Sequence, residues 1–135
     1  MDEIIEYLRS VPAWYLATTE NDQPRVRPFS FVEQYQDKLW FCTATNKDVY
    51  VQLKENPKFE LCAWKPGHGW LIITGVADMT DAVDEQTRLE GYLHMTGLGE
   101  TYDGPDDPRL TFFSLAQGTA KMADIDGSER TIELA

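Results

Sequence analysis

Two arginines, two threonines and a lysine carry the chemistry most visible in this sequence. Arg25 and Arg27 stand two apart, so on a strand their side chains share one face. Further along, residues 39–57 read Leu-Trp-Phe-Cys-Thr-Ala-Thr-Asn-Lys-Asp-Val-Tyr-Val-Gln-Leu-Lys-Glu-Asn-Pro. That order is a strand ending at Thr43 and Thr45, then Lys47, then a capped helix. Hydroxyls, an ammonium and unpaired backbone N–H groups at one point suit a phosphate. A lysine at a helix N-terminus is unfavourable by about 0.3–1 kcal/mol unless an anion lies nearby. A phosphomonoester carries nearly two negative charges, which an arginine, a lysine and a helix start can match. The plainer alternatives are a solvated strand face for the arginines and, for Thr45, an N-cap worth about 1 kcal/mol.

Those residues need a scaffold, and the chain punctuates one clearly. Residues 2–10 read as a short helix with Ile4, Ile5 and Leu8 on one face, stopped by Pro12. Strands are expected at 13–19, 25–34 and 38–43, with turns at 20–24 and at Gln36-Asp37. Pro28 must sit at a sheet edge or a bulge. A helix over about 46–55 has capping-box spacing from Thr45 to Asp48, with Asp for the usual Glu, and ends at Asn56-Pro57. Strands at 58–65 and 70–79 flank the hairpin signal Pro66-Gly67-His68-Gly69, and Gly75 marks a bulge or a close approach. Residues 82–93 are helix-compatible, 95–108 form a glycine- and proline-rich loop, and 109–117, 119–125 and 129–134 are strands, the last two joined by a turn at Asp126-Gly127. About seven short strands with two or three short helices out of alternation imply a closed or partly open β-barrel rather than an α/β sheet.

Composition narrows the function classes. The chain has 135 residues, is 42% hydrophobic and 12% aromatic, and has the size of one domain spanning 1–135. No apolar run reaches the roughly 18 residues needed to cross a bilayer. The acidic start Met1-Asp2-Glu3 argues against a secretory leader, so the cytoplasm is expected. A net charge of -11 and a pI near 4.4 disfavour nucleic acid and anionic membrane as partners. An anion must therefore be attracted by local geometry. Cys42 and Cys62 read as reduced core thiols, and with His68 and His94 they form no metal motif. His68 reads as an exposed turn residue, and Asp106-Asp107 as solvated loop charges. Trp64, Trp70 and Tyr92 read as core or interface aromatics, or else as groups flanking the cleft.

The ordered set of Trp14-Tyr15-Leu16-Ala17-Thr18, Pro24-Arg25-Val26-Arg27-Pro28, Leu39-Trp40-Phe41-Cys42-Thr43, Thr45-Asn46-Lys47, Gln52-Leu53 with Asn56-Pro57, and Gly75-Val76-Ala77 resembles the pyridoxamine 5′-phosphate oxidase-like family of FMN-binding split barrels. The resemblance covers nearly the whole chain. It implies a homodimer with FMN in clefts at the subunit interface. It implies that Arg27, with Arg25 as second choice, lies against the flavin and its phosphate region, and that the strand-two backbone at Pro28 and Phe29 orients the ring. Thr43, Thr45, Asn46 and Lys47 correspond to the phosphate-binding strand end and triplet, with Asn46 in place of the family's arginine. Trp64 is the aromatic assigned to the flavin site. Val32 stands where the oxidase carries a basic residue, and the oxidase has a longer C-terminal part. The resemblance is therefore to the short relatives, which include nitroimidazole-resistance-type reductases and general-stress flavoproteins. The implied activity is reduction of a small organic acceptor, with a non-catalytic flavin module, or a binder of haem or a deazaflavin, as the alternatives.

Overall fold

Chain order runs from helix α1 (Asp2–Arg9) through strands β1 (Trp14–Glu20), β2 (Gln23–Phe29), β3 (Glu33–Tyr35) and β4 (Lys38–Ala44) to helix α2 (Asp48–Glu55). It continues with β5 (Lys58–Trp64), β6 (Trp70–Asp78), α3 (Glu85–His94), β7 (Leu110–Ala123) and β8 (Glu129–Leu134). The structure, a computed structural model, describes residues 1–79, 84–94 and 102–134. The expected helix start at 82 and the 95–101 part of the glycine-rich loop lie outside the described residues.

The strands form one antiparallel sheet in the order β2-β1-β5-β6-β7-β4-β3, with β8 added to β7. Strands β2 and β3 are consecutive in sequence yet stand at opposite ends of that ladder. Residues 30–32 join the two ends, so the sheet curls round without a hydrogen-bonded seam. This is a split barrel. It also explains why the strand expected over 25–34 is divided: the chain leaves one edge at Phe29 and begins the other at Glu33. Pro24 and Pro28 are tolerated because β2 bonds only to β1 and its other side needs no ladder donors.

Strand β7 is the hinge of the architecture. One edge bonds to β6, and the other is shared by β4 along 110–114 and β8 along 118–123. The strands expected at 109–117 and 119–125 are one: β7 runs unbroken through Gly118. That glycine pairs with Gly75 of β6. A Cβ on Gly118 would lie 2.7 Å from the Thr74 carbonyl oxygen, and one on Gly75 would lie 2.4 Å from Leu115 Cδ1. Close approach, not a break, requires both glycines. The bulge falls one residue beyond Gly75: Val76 pairs with Gln117 and Ala77 with Leu115, which leaves Ala116 as the extra residue that bends β7.

Inside the barrel Phe41 stacks within 5.5 Å of Trp14, 5.2 Å of Phe113 and 5.9 Å of Phe59, measured between ring centroids. Such aromatic contacts add about 0.5–1.5 kcal/mol each beyond the area they bury. Helix α2 presses Val49 and Leu53 onto this core, and α1 adds Ile4, Ile5 and Leu8. Outside the barrel a second cluster joins Ala44, Tyr102, Leu110 and Phe112 with Trp40, Cys42 and Tyr92. The expectation of two core thiols holds for neither cysteine in full. Cys42 is half-buried, its thiol pushed up to about 12 by burial, whereas Cys62 is exposed on the outer face of β5. No helix among the described residues is long and apolar enough to cross a membrane.

One loop residue departs from its expected role. Asp106 is solvent-exposed, but Asp107 is buried and organises the segment that enters β7. Its carboxylate accepts hydrogen bonds from the backbone N–H groups of Asp103 and Arg109 and from Nε and Nη2 of Arg109. Arg88 of α3 donates to the carbonyls of Pro105 and Asp107, which ties the helix to the same loop. The Arg109 guanidinium and these backbone donors hold the Asp107 carboxyl well below the usual carboxylate range. A depressed folded-state pKa adds stability above the unfolded value, near pH ~4, and loses it as pH falls through the folded value. Asp107→Asn should therefore melt several degrees lower at pH 7, with the gap to the wild type closing as the pH is lowered below about 4. A gap independent of pH in thermal melts would contradict this account.

Candidate functional site

The site forms where β1, β2 and α2 meet at one end of the barrel. The hairpin between β1 and β2 sets Thr18 opposite Arg25 and Leu16 opposite Arg27. Its turn works because Asn21 accepts a left-handed backbone, with φ of 55°. Leu16 and Thr18 point inward, and so do the two arginines across from them. Helix α2 lies over this end with Val49, Gln52 and Leu53 on its buried side.

A half-buried guanidinium must be satisfied, and Arg27 is. Its Nη1 donates to the Leu16 carbonyl at 3.2 Å and to Thr18 Oγ1 at 2.8 Å, and its Nη2 donates to Gln52 Oε1 at 2.6 Å. The Thr18 hydroxyl donates to the same Gln52 oxygen at 2.6 Å. Two donors on Oε1 fix the amide orientation and turn Gln52 Nε2 toward Glu20 Oε2, 3.4 Å away. Glu20 Oε1 in turn holds Arg25 Nη2 at 3.0 Å. Burial lowers the Arg27 pKa, and Asp48 opposes that shift.

Beside this network lies a cleft of about 500 Å³ lined by Glu20, Arg25, Val26, Arg27, Lys47, Asp48, Val49 and Gln52. A volume of about 300–1,000 Å³ is typical of small-molecule sites. Lys47 is the N-cap of α2, in extended backbone, with an exposed ammonium that makes no hydrogen bond or ion pair among the described residues. The start of the helix adds backbone N–H groups without intrahelical acceptors. Among the described residues the lining holds no cysteine, histidine, serine or threonine, and it supplies cations and donors. These groups fit a phosphate, although Glu20 and Asp48 bring negative charge to the same space.

The cleft brings together Arg25, Arg27 and Lys47, as the sequence reading required. The two threonines fare differently. Thr43 is buried on the inward face of β4, and its hydroxyl finds no hydrogen-bond partner among the described residues. Thr45 donates its hydroxyl to the Pro108 carbonyl at 3.3 Å and its N–H to the Arg109 carbonyl at 2.8 Å. The expected capping box is therefore not made: α2 starts at Asp48, the N-cap is Lys47, and Thr45 lies too far back to reach the first turn. Asn46 is exposed in the turn before Lys47. Phe29 faces the core 5.6 Å from Trp14, and Pro28 faces solvent on the edge strand. Trp64 and Trp70 pair across β5 and β6, 64% and 43% exposed, on the outer face of the sheet. They do not flank the cleft of their own chain, and Tyr92 packs instead into the outer cluster. His68 is exposed in its turn, as expected.

From sequence, Thr18 and Gln52 enter only within motifs of the resemblance and Glu20 only within a turn, none with a role in the site. Gln52 did leave a signal, being a polar residue at a core-facing helix position between Val49 and Leu53. The partners of Arg27 also follow from the hairpin register once its turn is placed at Asn21-Asp22.

Comparison with known proteins agrees with this fold. The chain matches the family model described as pyridoxamine 5′-phosphate oxidase over residues 1–123. No curated protein matches it. Among solved structures, a NimC/NimA family protein from Clostridium acetobutylicum is 28% identical with a TM-score of 0.91, covering 99% of this chain and 92% of that one. A pyridoxamine 5′-phosphate oxidase-related, FMN binding protein from Nostoc punctiforme is 15% identical with a TM-score of 0.66, covering 99% of this chain and 94% of that one. A heme binding protein from Mycobacterium smegmatis is 13% identical with a TM-score of 0.70, covering 94% of this chain and 55% of that one. The last two likenesses speak to the fold alone. By the family match across residues 1–123, this chain belongs to the pyridoxamine 5′-phosphate oxidase family.

Proposed function

We propose that the protein is an FMN-dependent oxidoreductase acting as a cytoplasmic homodimer, with its flavin clefts at the subunit interface. The observation that carries this reading is the convergence of Arg25, Arg27 and an unpartnered Lys47 at the start of α2, in a chain otherwise rich in negative charge. Lys47 and the helix start would hold the phosphate, and Arg27 and the β2 backbone at Pro28 and Phe29 would orient the ring. When bound, FMN supplies hydride and electron transfer between a reductant, such as a nicotinamide, and a small organic acceptor. The protein's own part is binding, orientation and exclusion of water. Pyridoxamine phosphate is not the proposed substrate, because Val32 is buried in the core where the oxidase presents a basic group.

The outer sheet face supports the dimer. Tyr15, Val26 and Trp64 are 54%, 67% and 64% exposed, and Tyr15, Cys62 and Ile72 stand in one cross-strand row beside them. Exposed apolar residues gathered on one sheet face support an association surface there. Because Trp64 faces away from the cleft of its own chain, its flavin contact would be made across that interface.

The absorption spectrum of the purified protein tests the cofactor. Flavin-type bands are expected, whereas a haem-type band, or a colourless protein that ignores added FMN, would overturn the reading. Fluorescence titration should show that Lys47→Ala weakens FMN binding by about 1–3 kcal/mol, the value of a charge-assisted bond; equal affinity would remove Lys47 from the site. Light scattering should find a dimer that Trp64→Glu converts to monomer with loss of flavin. A wild-type monomer retaining flavin would rule out an interfacial site.

A further inference from the structure

We propose that Glu20 is a resident counter-ion of the cleft, which a phosphate-bearing ligand must displace from Arg25. The inference rests on the phosphate reading above and adds how the site sets its ligand charge. The two arginines differ in their attachment. Arg27 is fixed, with three hydrogen bonds to Leu16, Thr18 and Gln52. Among the described residues Arg25 is held by a single contact, to Glu20 at 3.0 Å, with the two side chains 50% and 44% exposed. Exposed pairs of this kind are weak, so Arg25 can change partners at little cost.

Glu20 is not placed there by helix capping. Asp48 has that ordinary role, since an acidic residue in the first turn of α2 favours the helix dipole. Glu20 instead ends β1, and its carboxylate faces Arg25 on one oxygen and Gln52 Nε2 on the other. Arg25 and then Gln52 hold it below the usual carboxylate range, so it is ionised at neutral pH. Around the cleft, Arg25, Arg27 and Lys47 therefore meet Glu20 and Asp48, and one positive charge remains. A dianionic phosphomonoester overfills that remainder. Removing the Glu20 charge while keeping its shape leaves two positive charges, which match the dianion. The predicted sign is opposite to that of a structural role: loss of this carboxylate should tighten binding.

Wild type and Glu20→Gln, titrated with FMN and with riboflavin, which lacks the phosphate, separate the possibilities. The glutamine keeps one acceptor oxygen, for Arg25, and gives up the second, which faced Gln52 Nε2. The expected result is FMN affinity about fivefold to tenfold tighter, with riboflavin affinity unchanged. Arg25→Ala should then cost more FMN affinity in the Glu20→Gln background than in the wild type, because the arginine is no longer shared. Thermal melts of each variant verify folding, and Glu20→Ala provides a second neutral side chain. Unchanged or weaker FMN binding in both neutral variants, or equal tightening of riboflavin, overturns the proposal. Should the wild type and both variants bind no FMN at all, the flavin reading fails on its own. The counter-ion is then read with inorganic phosphate in calorimetry: tighter binding to Glu20→Gln supports it, and equal or absent binding overturns it.

Discussion

The Arg27 guanidinium is the constraint from which the rest of the site follows. It is half-buried under α2, so its donors must find acceptors within the protein. They find the Leu16 carbonyl, the Thr18 hydroxyl and the Gln52 amide, which belong to a strand and a helix far apart in sequence. Satisfying one cation thus locks β1, β2 and α2 together. It orients Gln52, and through Gln52 it positions Glu20 and Arg25. The cleft beside Lys47 is the space that this arrangement leaves open.

Barrel geometry makes that arrangement possible. A sheet closed by hydrogen bonds would cover the edge of β2, but here residues 30–32 make the closing link covalently. β2 therefore keeps a free edge, tolerates Pro24 and Pro28, and carries two arginines on its inward face. Bending comes from β7, where the bulge at Ala116 and the Gly75–Gly118 approach let one strand serve three neighbours. The aromatic cluster around Phe41 fills the inside, and polar chemistry is left to the rim.

Local patterns were legible in the sequence. Alternation placed most strands, the spacing of Ile4, Ile5 and Leu8 placed α1, and the two-residue step from Arg25 to Arg27 placed both on one face. A lysine at a helix start pointed to the cleft. What failed were particular contacts set by long-range pairing. Thr45 looked like a cap, but its hydroxyl is taken by Pro108, some sixty residues away in the chain. Asp107 looked solvated, because nothing near it in sequence announces that it gathers Asp103 and Arg109 around itself. Gly118 looked like a break, since a glycine needed for close approach and one needed for a turn read alike. Cys62 looked like core, because an apolar strand does not say which of its faces is covered.

Membership in the pyridoxamine 5′-phosphate oxidase family, shown over residues 1–123, and the cation cluster at one barrel end, which lies within that span, bear on the same proposal. The proposal they serve is a phosphate held beside Lys47. The most direct measurement is a crystal structure of the protein soaked with FMN. The account predicts the phosphorus within hydrogen-bonding reach of Lys47 and the first backbone N–H groups of α2, with Arg25 turned from Glu20 toward it. A phosphate bound elsewhere, with Lys47 still in solvent and the Arg25–Glu20 pair intact, would contradict it.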